Sequence, residues 1–106
     1  MPTLNRLVCC SLIVFFAGAG ALQARTIEVR IENLAYLPAS IAAEQGDIIR
    51  WTNTDPFDHT ATVEGGWEVV IPAGATIEQP LEKPQSATFY CRYHPTMTGT
   101  LSVTGK

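Results

Sequence analysis

The chain has little of what usually carries chemistry. Its 106 residues include two histidines, two methionines and three cysteines. Seven Lys and Arg against ten Asp and Glu leave no basic surface suited to nucleic acid. No His-rich or Met-rich tract, internal repeat or low-complexity segment is present, and no C-x-x-C-H pattern exists to attach a covalent haem. Helical periodicity is almost absent, which sets aside helical bundles. Beyond residue 24 no apolar run approaches the roughly 20 residues that a membrane-spanning helix needs.

The one long apolar run lies at the N-terminus. After Arg6, "LVCCSLIVFFAGAGAL" is uncharged and ends in small residues before "QAR". A cationic start, a short apolar stretch and small residues near Ala21 and Ala24 describe a secretory signal peptide over residues 1–24, cleaved after position 21 or 24. An uncleaved anchor and a lipoprotein Cys at position 9 or 10 are the rival readings. Removing the leader takes Cys9 and Cys10 with it. Cys91 is then the single thiol of an exported domain, residues 25–106, carrying a net charge of about −4. A chain of this length suffices for one modest core and leaves little room for a cleft between domains.

In that domain the hydrophobic pattern repeats every two residues. "TIEVRIE" turns Ile27, Val29 and Ile31 to one side, "IIRWTN" does the same with Ile49, Trp51 and Asn53, and "TLSVTG" with Leu101 and Val103. "EQGD" reads as a turn, Gly65-Gly66 as a hairpin or bulge, and Pro72, Pro80 and Pro84 exclude a long helix from their region. Trp51 and Trp67 are assigned to core or rim. The best helical candidate is about one turn at "SIAAEQ". Short strands at turn-like spacing predict an all-β fold, an antiparallel β-sandwich.

"FYCRYHPTMTG" places Cys91, His94 and Met97 three residues apart. Cys91 ends one expected strand, Gly99 begins the next, and residues 92–98 form the loop between them. Three residues of chain reach at most about 10 Å, so the trio can converge on one centre. The same residues also suit packing, because a free Cys acts as a small hydrophobe and Met as a gap-filler. The other histidine, His59, follows the strand containing Trp51. If that strand and the one ending at Cys91 lie in facing sheets, their loops open at the same end, and His59 joins the group. Two imidazoles, a thiolate and a thioether form a soft set that favours copper over hard cations, whereas structural zinc sites draw on Cys and His alone.

"FYCRYHPTMTGTLSV" resembles the C-terminal ligand loop of the cupredoxins, most of all that of the amicyanins, which have the same C-x2-H-x2-M spacing with Pro and Gly where this chain has Pro95 and Gly99. "GDIIRWTNTDPFDH" is similar to the upstream cupredoxin pattern leading to the first ligand histidine. The chain departs from its relatives at Asp58, Thr60 and Gln85, and its interval from His59 to Cys91 is short. The resemblance implies a small Greek-key sandwich holding one type 1 copper, Cu(I)/Cu(II), through His59, Cys91, His94 and Met97, with the Thr60 amide donating to the Cys91 sulfur. It further implies a periplasmic, monomeric electron carrier and no enzyme. Electrons would leave through His94 inside an apolar collar including Phe57. A methylamine dehydrogenase would be the donor and a c-type cytochrome the acceptor. Copper delivery or storage and a Cys91 thiol enzyme remain as alternatives.

Overall fold

The computed structural model describes residues 24–106. Apart from Ala24, the expected signal peptide lies outside them. Nine strands follow in order: β1 (Thr26–Glu32), β2 (Ala35–Leu37), β3 (Ser40–Glu44), β4 (Ile48–Asn53), β5 (His59–Thr62), β6 (Glu68–Ile71), β7 (Thr76–Pro80), β8 (Gln85–Cys91) and β9 (His94–Thr104). Among the described residues there is no helix, and so none long and apolar enough to cross a membrane.

The strands form two sheets, β2-β1-β4-β7 and β3-β9-β8-β5-β6. The sheets are mixed, not purely antiparallel as the sequence pattern suggested. β1 runs parallel to β4, and β3 runs parallel to β9. Strand direction depends on which distant segments pair, and a period of two is blind to that. "SIAAEQ" is also not helical. Ile41 and Ala43 are buried while Ser40, Ala42 and Glu44 are exposed, and parallel pairing with β9 overrides the helical preference of Ala and Glu.

The alternation predicted for β1, β4 and β9 is observed. Val29, Ile31, Ile49, Trp51, Leu101 and Val103 are all buried between the sheets. At the centre Trp51 and Phe89 meet across the two sheets edge to face, with centroids 5.5 Å apart, and Tyr36 packs edge-on against both. Such contacts add about 0.5–1.5 kcal/mol each beyond the area they bury. Trp51 is core, and Trp67 packs against the core at its rim.

Two local devices fix the ends of the sandwich. Opposite Phe89, Gly99 leaves room for the ring. A Cβ there would overlap the Phe89 ring edge and come within 2.7 Å of the Ala39 carbonyl. Asp47 closes the β3–β4 turn, accepting from the amides of Glu44 (2.9 Å) and Arg25 (3.1 Å) and from the Arg25 guanidinium (3.2 Å). The Glu44 amide is the main influence. Against the cost of burial, it and Arg25 hold the Asp47 carboxyl below its usual range.

Gly99→Ala should cost about 1–3 kcal/mol, read as a lower midpoint in urea denaturation, because a carbonyl and a core ring must both shift. An unchanged midpoint would show that the close approach is not limiting. Asp47→Asn should cost about 1–2 kcal/mol at neutral pH, since an amide oxygen replaces a charged three-way acceptor. Asp47 has a folded-state pKa below its unfolded one, so its contribution is present above about pH 4 and disappears as pH falls through the lowered value. The stability gap between wild type and variant should therefore narrow on acidification; a gap that widens below about pH 4 would contradict this.

Candidate metal centre

The site lies where β8 turns into β9. Backbone pairing runs regularly from Gln85↔Val103 to Tyr90↔Thr98, then jumps to Cys91↔His94. Three residues, Pro95 to Met97, are thus inserted into β9 as a bulge. Pro95 suits this place because it has no amide proton to give to a ladder. The segment 92–98 is therefore not the open loop expected from sequence. Only Arg92 and Tyr93 make the turn, and His94 already belongs to β9. This tightness holds His94 beside Cys91.

The condition set for His59 is met, since β4 and β8 lie in opposite sheets. The chain leaves β4 at Asn53, crosses over residues 54–58 and enters the second sheet at His59, the first residue of β5. His59 and Cys91 are completely buried, and His94 is half-buried. The Cys91 Sγ lies 3.5 Å from His59 Nδ1 and 3.9 Å from His94 Nδ1. One donor atom from each of the three falls within 4.8 Å of the others. A three-coordinate centre with bonds of about 2.0–2.3 Å needs ligand separations of about 3.5–3.8 Å. The two sulfur–nitrogen spacings lie close to that range, and the three donor atoms all lie within 4.8 Å of one another. Met97 is buried in the bulge, three residues beyond His94.

Several side chains that sequence reasoning passed over hold this trio. Asp55 is the most consequential. Its Oδ2 lies 2.8 Å from His59 Nε2, which leaves Nδ1 free to face the sulfur. The same carboxylate accepts from the amides of Asn33 (2.7 Å) and Leu34 (2.9 Å), two residues with positive φ in the β1–β2 turn. Burial opposes the charge on Asp55, but these amides and His59 outweigh it and hold the carboxyl below its usual range. The i,i+4 spacing of Asp55 and His59 was visible in the sequence. Nothing there indicated that Asp55 also ties down a distant turn.

Asn53 gives the 54–58 crossover its shape. Its amide donates to the carbonyls of Phe57 (2.7 Å) and Ile71 (2.9 Å), and its oxygen accepts from the Asp55 amide (2.9 Å). The Tyr36 hydroxyl donates to the Thr60 carbonyl. Burial, and then the charge that the nearby Cys91 sulfur carries when ionised, raise that phenol well above its ordinary range, so it remains a donor. The Thr60 amide points at the Cys91 Sγ at 3.4 Å, the contact that the family resemblance implied.

Chemically, the trio suits copper. A free buried thiol with two imidazoles is a soft donor set, its atoms lie close enough to share one ion, and the hydrogen bond to one imidazole fixes which nitrogen faces inward. Solved structures share this fold. Amicyanin from Paracoccus versutus (Thiobacillus versutus) superposes with a TM-score of 0.65 at 21% identity, covering 78% of this chain and 85% of that one. The Cu(I) form of an amicyanin mutant matches with a TM-score of 0.67 at 18% identity, covering 78% and 86%. A copper-containing nitrite reductase from Thermus scotoductus matches at 0.65 and 25% identity over 81% of this chain, which spans only 24% of the reductase. The family model described as the cupredoxin-like domain matches residues 6–103, and the chain belongs to that family.

Proposed function

We propose that this protein is a periplasmic electron carrier that holds one copper ion through His59, Cys91, His94 and Met97. The observation that carries this is the convergence of His59 Nδ1, Cys91 Sγ and His94 Nδ1 at one end of the sandwich. Met97, a buried thioether three residues beyond His94, would add a fourth, weaker soft donor. The bound ion supplies one-electron chemistry between Cu(I) and Cu(II).

The chain's own residues do the rest. Asp55 fixes the His59 tautomer and ring direction. Thr60 donates to the sulfur, and the tight β8–β9 turn keeps Cys91 and His94 together. Such a frame supports transfer because little needs to move when the charge changes. His94 is the half-buried member of the trio, flanked by Phe57 and Tyr93, both more than half exposed. The Phe57 ring lies 6.2 Å from His94, centroid to centroid. This apolar collar favours brief docking through a small interface of under about 1,200 Å². With copper bound, the His94 edge would be the route for electrons. The partners are redox proteins, with a periplasmic amine dehydrogenase as donor and a c-type cytochrome as acceptor, and the carrier acts as a monomer.

Cu(II) added to the purified protein should give an intense blue colour that bleaches with mild reductant and returns on oxidation. A pale product that yields its copper to a modest chelator would favour copper delivery instead. His94→Ala should weaken copper binding and slow electron self-exchange; normal exchange in a fully loaded variant would rule out the His94 route. Asp55→Asn should lower copper affinity about 10- to 100-fold, as loss of the carboxylate behind a ligand histidine typically does. Wild-type affinity in that variant, by competition with a chelator, would show that Asp55 does not orient His59.

A further inference from the structure

β5 is buried on both faces, although it lies next to an edge strand. His59 and Ala61 face the core. Thr60 and Thr62 face the other way and are nonetheless 0% and 3% exposed. What covers them is polar. The Thr60 Oγ1 accepts from the Arg92 amide (2.9 Å) and lies 2.8 Å from the Thr62 Oγ1. The Thr62 Oγ1 lies 2.8 Å from the Glu68 Oε1, and that same oxygen accepts from the Arg92 Nε at 2.6 Å. The chain of contacts leaves the backbone of Arg92 and returns to its side chain.

Proton counting gives this ring a direction. Two hydroxyls facing each other can exchange donor and acceptor roles. An ionised carboxylate can only accept, so the Thr62 proton is committed to Glu68. The Thr62 oxygen is then the acceptor for the Thr60 proton. The Thr60 oxygen keeps its lone pairs for the Arg92 amide. Thr60 is the residue whose own amide donates to the Cys91 Sγ, and Arg92 is the residue directly after that cysteine. We infer that Glu68, acting through Thr62, is a positioning residue: it sets the polarity of a hydroxyl relay that locks Thr60 to Arg92 and so holds the N–H···S contact on Cys91.

Glu68 is exposed and touches none of the proposed ligands, yet its effect reaches the thiolate through two hydroxyls. Its bearing on the copper rests on the function proposed above. Donation to the sulfur stabilises the more electron-rich thiolate of the reduced state, so a looser relay lowers the reduction potential. The relay itself belongs to the polypeptide and can be tested without metal.

The test measures amide hydrogen exchange at Thr60 and Arg92 by NMR in the metal-free protein, with thermal melting alongside. Three variants are compared. Thr62→Val keeps the shape but removes the hydroxyl, Thr62→Ser restores the hydroxyl, and Glu68→Gln replaces the acceptor-only group with one that can also donate. In Thr62→Val and Glu68→Gln, exchange at Arg92 should rise about five- to tenfold over wild type, the effect of losing one ordinary hydrogen bond. Thr62→Ser should return to near the wild-type rate. Copper-loaded Glu68→Gln should show a lower reduction potential. The inference is overturned if exchange at both amides stays at the wild-type rate in Glu68→Gln. It is equally overturned if exchange rises uniformly over both sheets in step with melting temperature and Thr62→Ser does not rescue it. Failure of the wild type to turn blue with copper would defeat the proposed function and leave the exchange result standing.

Discussion

A buried thiol with two imidazole nitrogens within 4 Å is the constraint around which this sandwich is arranged. Cys91 reaches that position because β8 and β9 fall out of register at that point and at no other place in their ladder. Regular pairing would set Cys91 opposite Met97, with His94 three residues earlier, at the very start of β9. The bulge at Pro95–Met97 instead brings His94 directly across from Cys91. Phe89 pairs with Gly99 and Tyr90 with Thr98 just before the break, so the regular ladder runs up to the site, and Cys91 and Met97 beyond it still belong to the core.

The third donor comes from the opposite direction, and its placement rests on polar contacts. His59 is carried across the gap between sheets by five residues with no regular structure. Asn53, Asp55 and Asp58 replace the missing backbone pairing there. Asn53 bonds within the crossover and to Ile71, Asp55 reaches the β1–β2 turn, and Asp58 accepts from the Ala73 amide. A buried polar group left without a partner costs about 1–3 kcal/mol, so such a network favours one conformation when complete. Among the described residues, no buried side-chain nitrogen or oxygen lacks a partner. The site thus has a rigid apolar floor in Tyr36, Trp51 and Phe89, and a polar frame that aims the imidazole.

Much of this was legible in the sequence. The period of two located most of the strands and their inward faces. The spacing of Cys91, His94 and Met97, with a lone second histidine, pointed to the end of the sandwich where His59, Cys91 and His94 come together. Three features were not legible, for different reasons. The parallel pairing of β1 with β4 depends on chain crossings that alternation does not encode. Ile41 and Ala43 in "SIAAE" are two apart, but the Ala and Glu around them favour a helix, and only pairing with β9 settles the matter. The relay from Thr60 to Glu68 joins residues whose individual roles are ordinary; it exists because β5 and β6 form a hairpin beside the Cys91 turn. The departure at Thr60 has a structural sense there, since a short hydroxyl accepts from the Arg92 amide and lies within hydrogen-bond distance of the Thr62 hydroxyl.

If sulfur and two imidazoles share one copper ion, X-ray absorption at the copper edge of the loaded protein will show it. One short sulfur neighbour and two nitrogen neighbours are expected around the copper, with the sulfur contribution lost in Cys91→Ser. A first shell of nitrogen and oxygen alone in the wild type would contradict it.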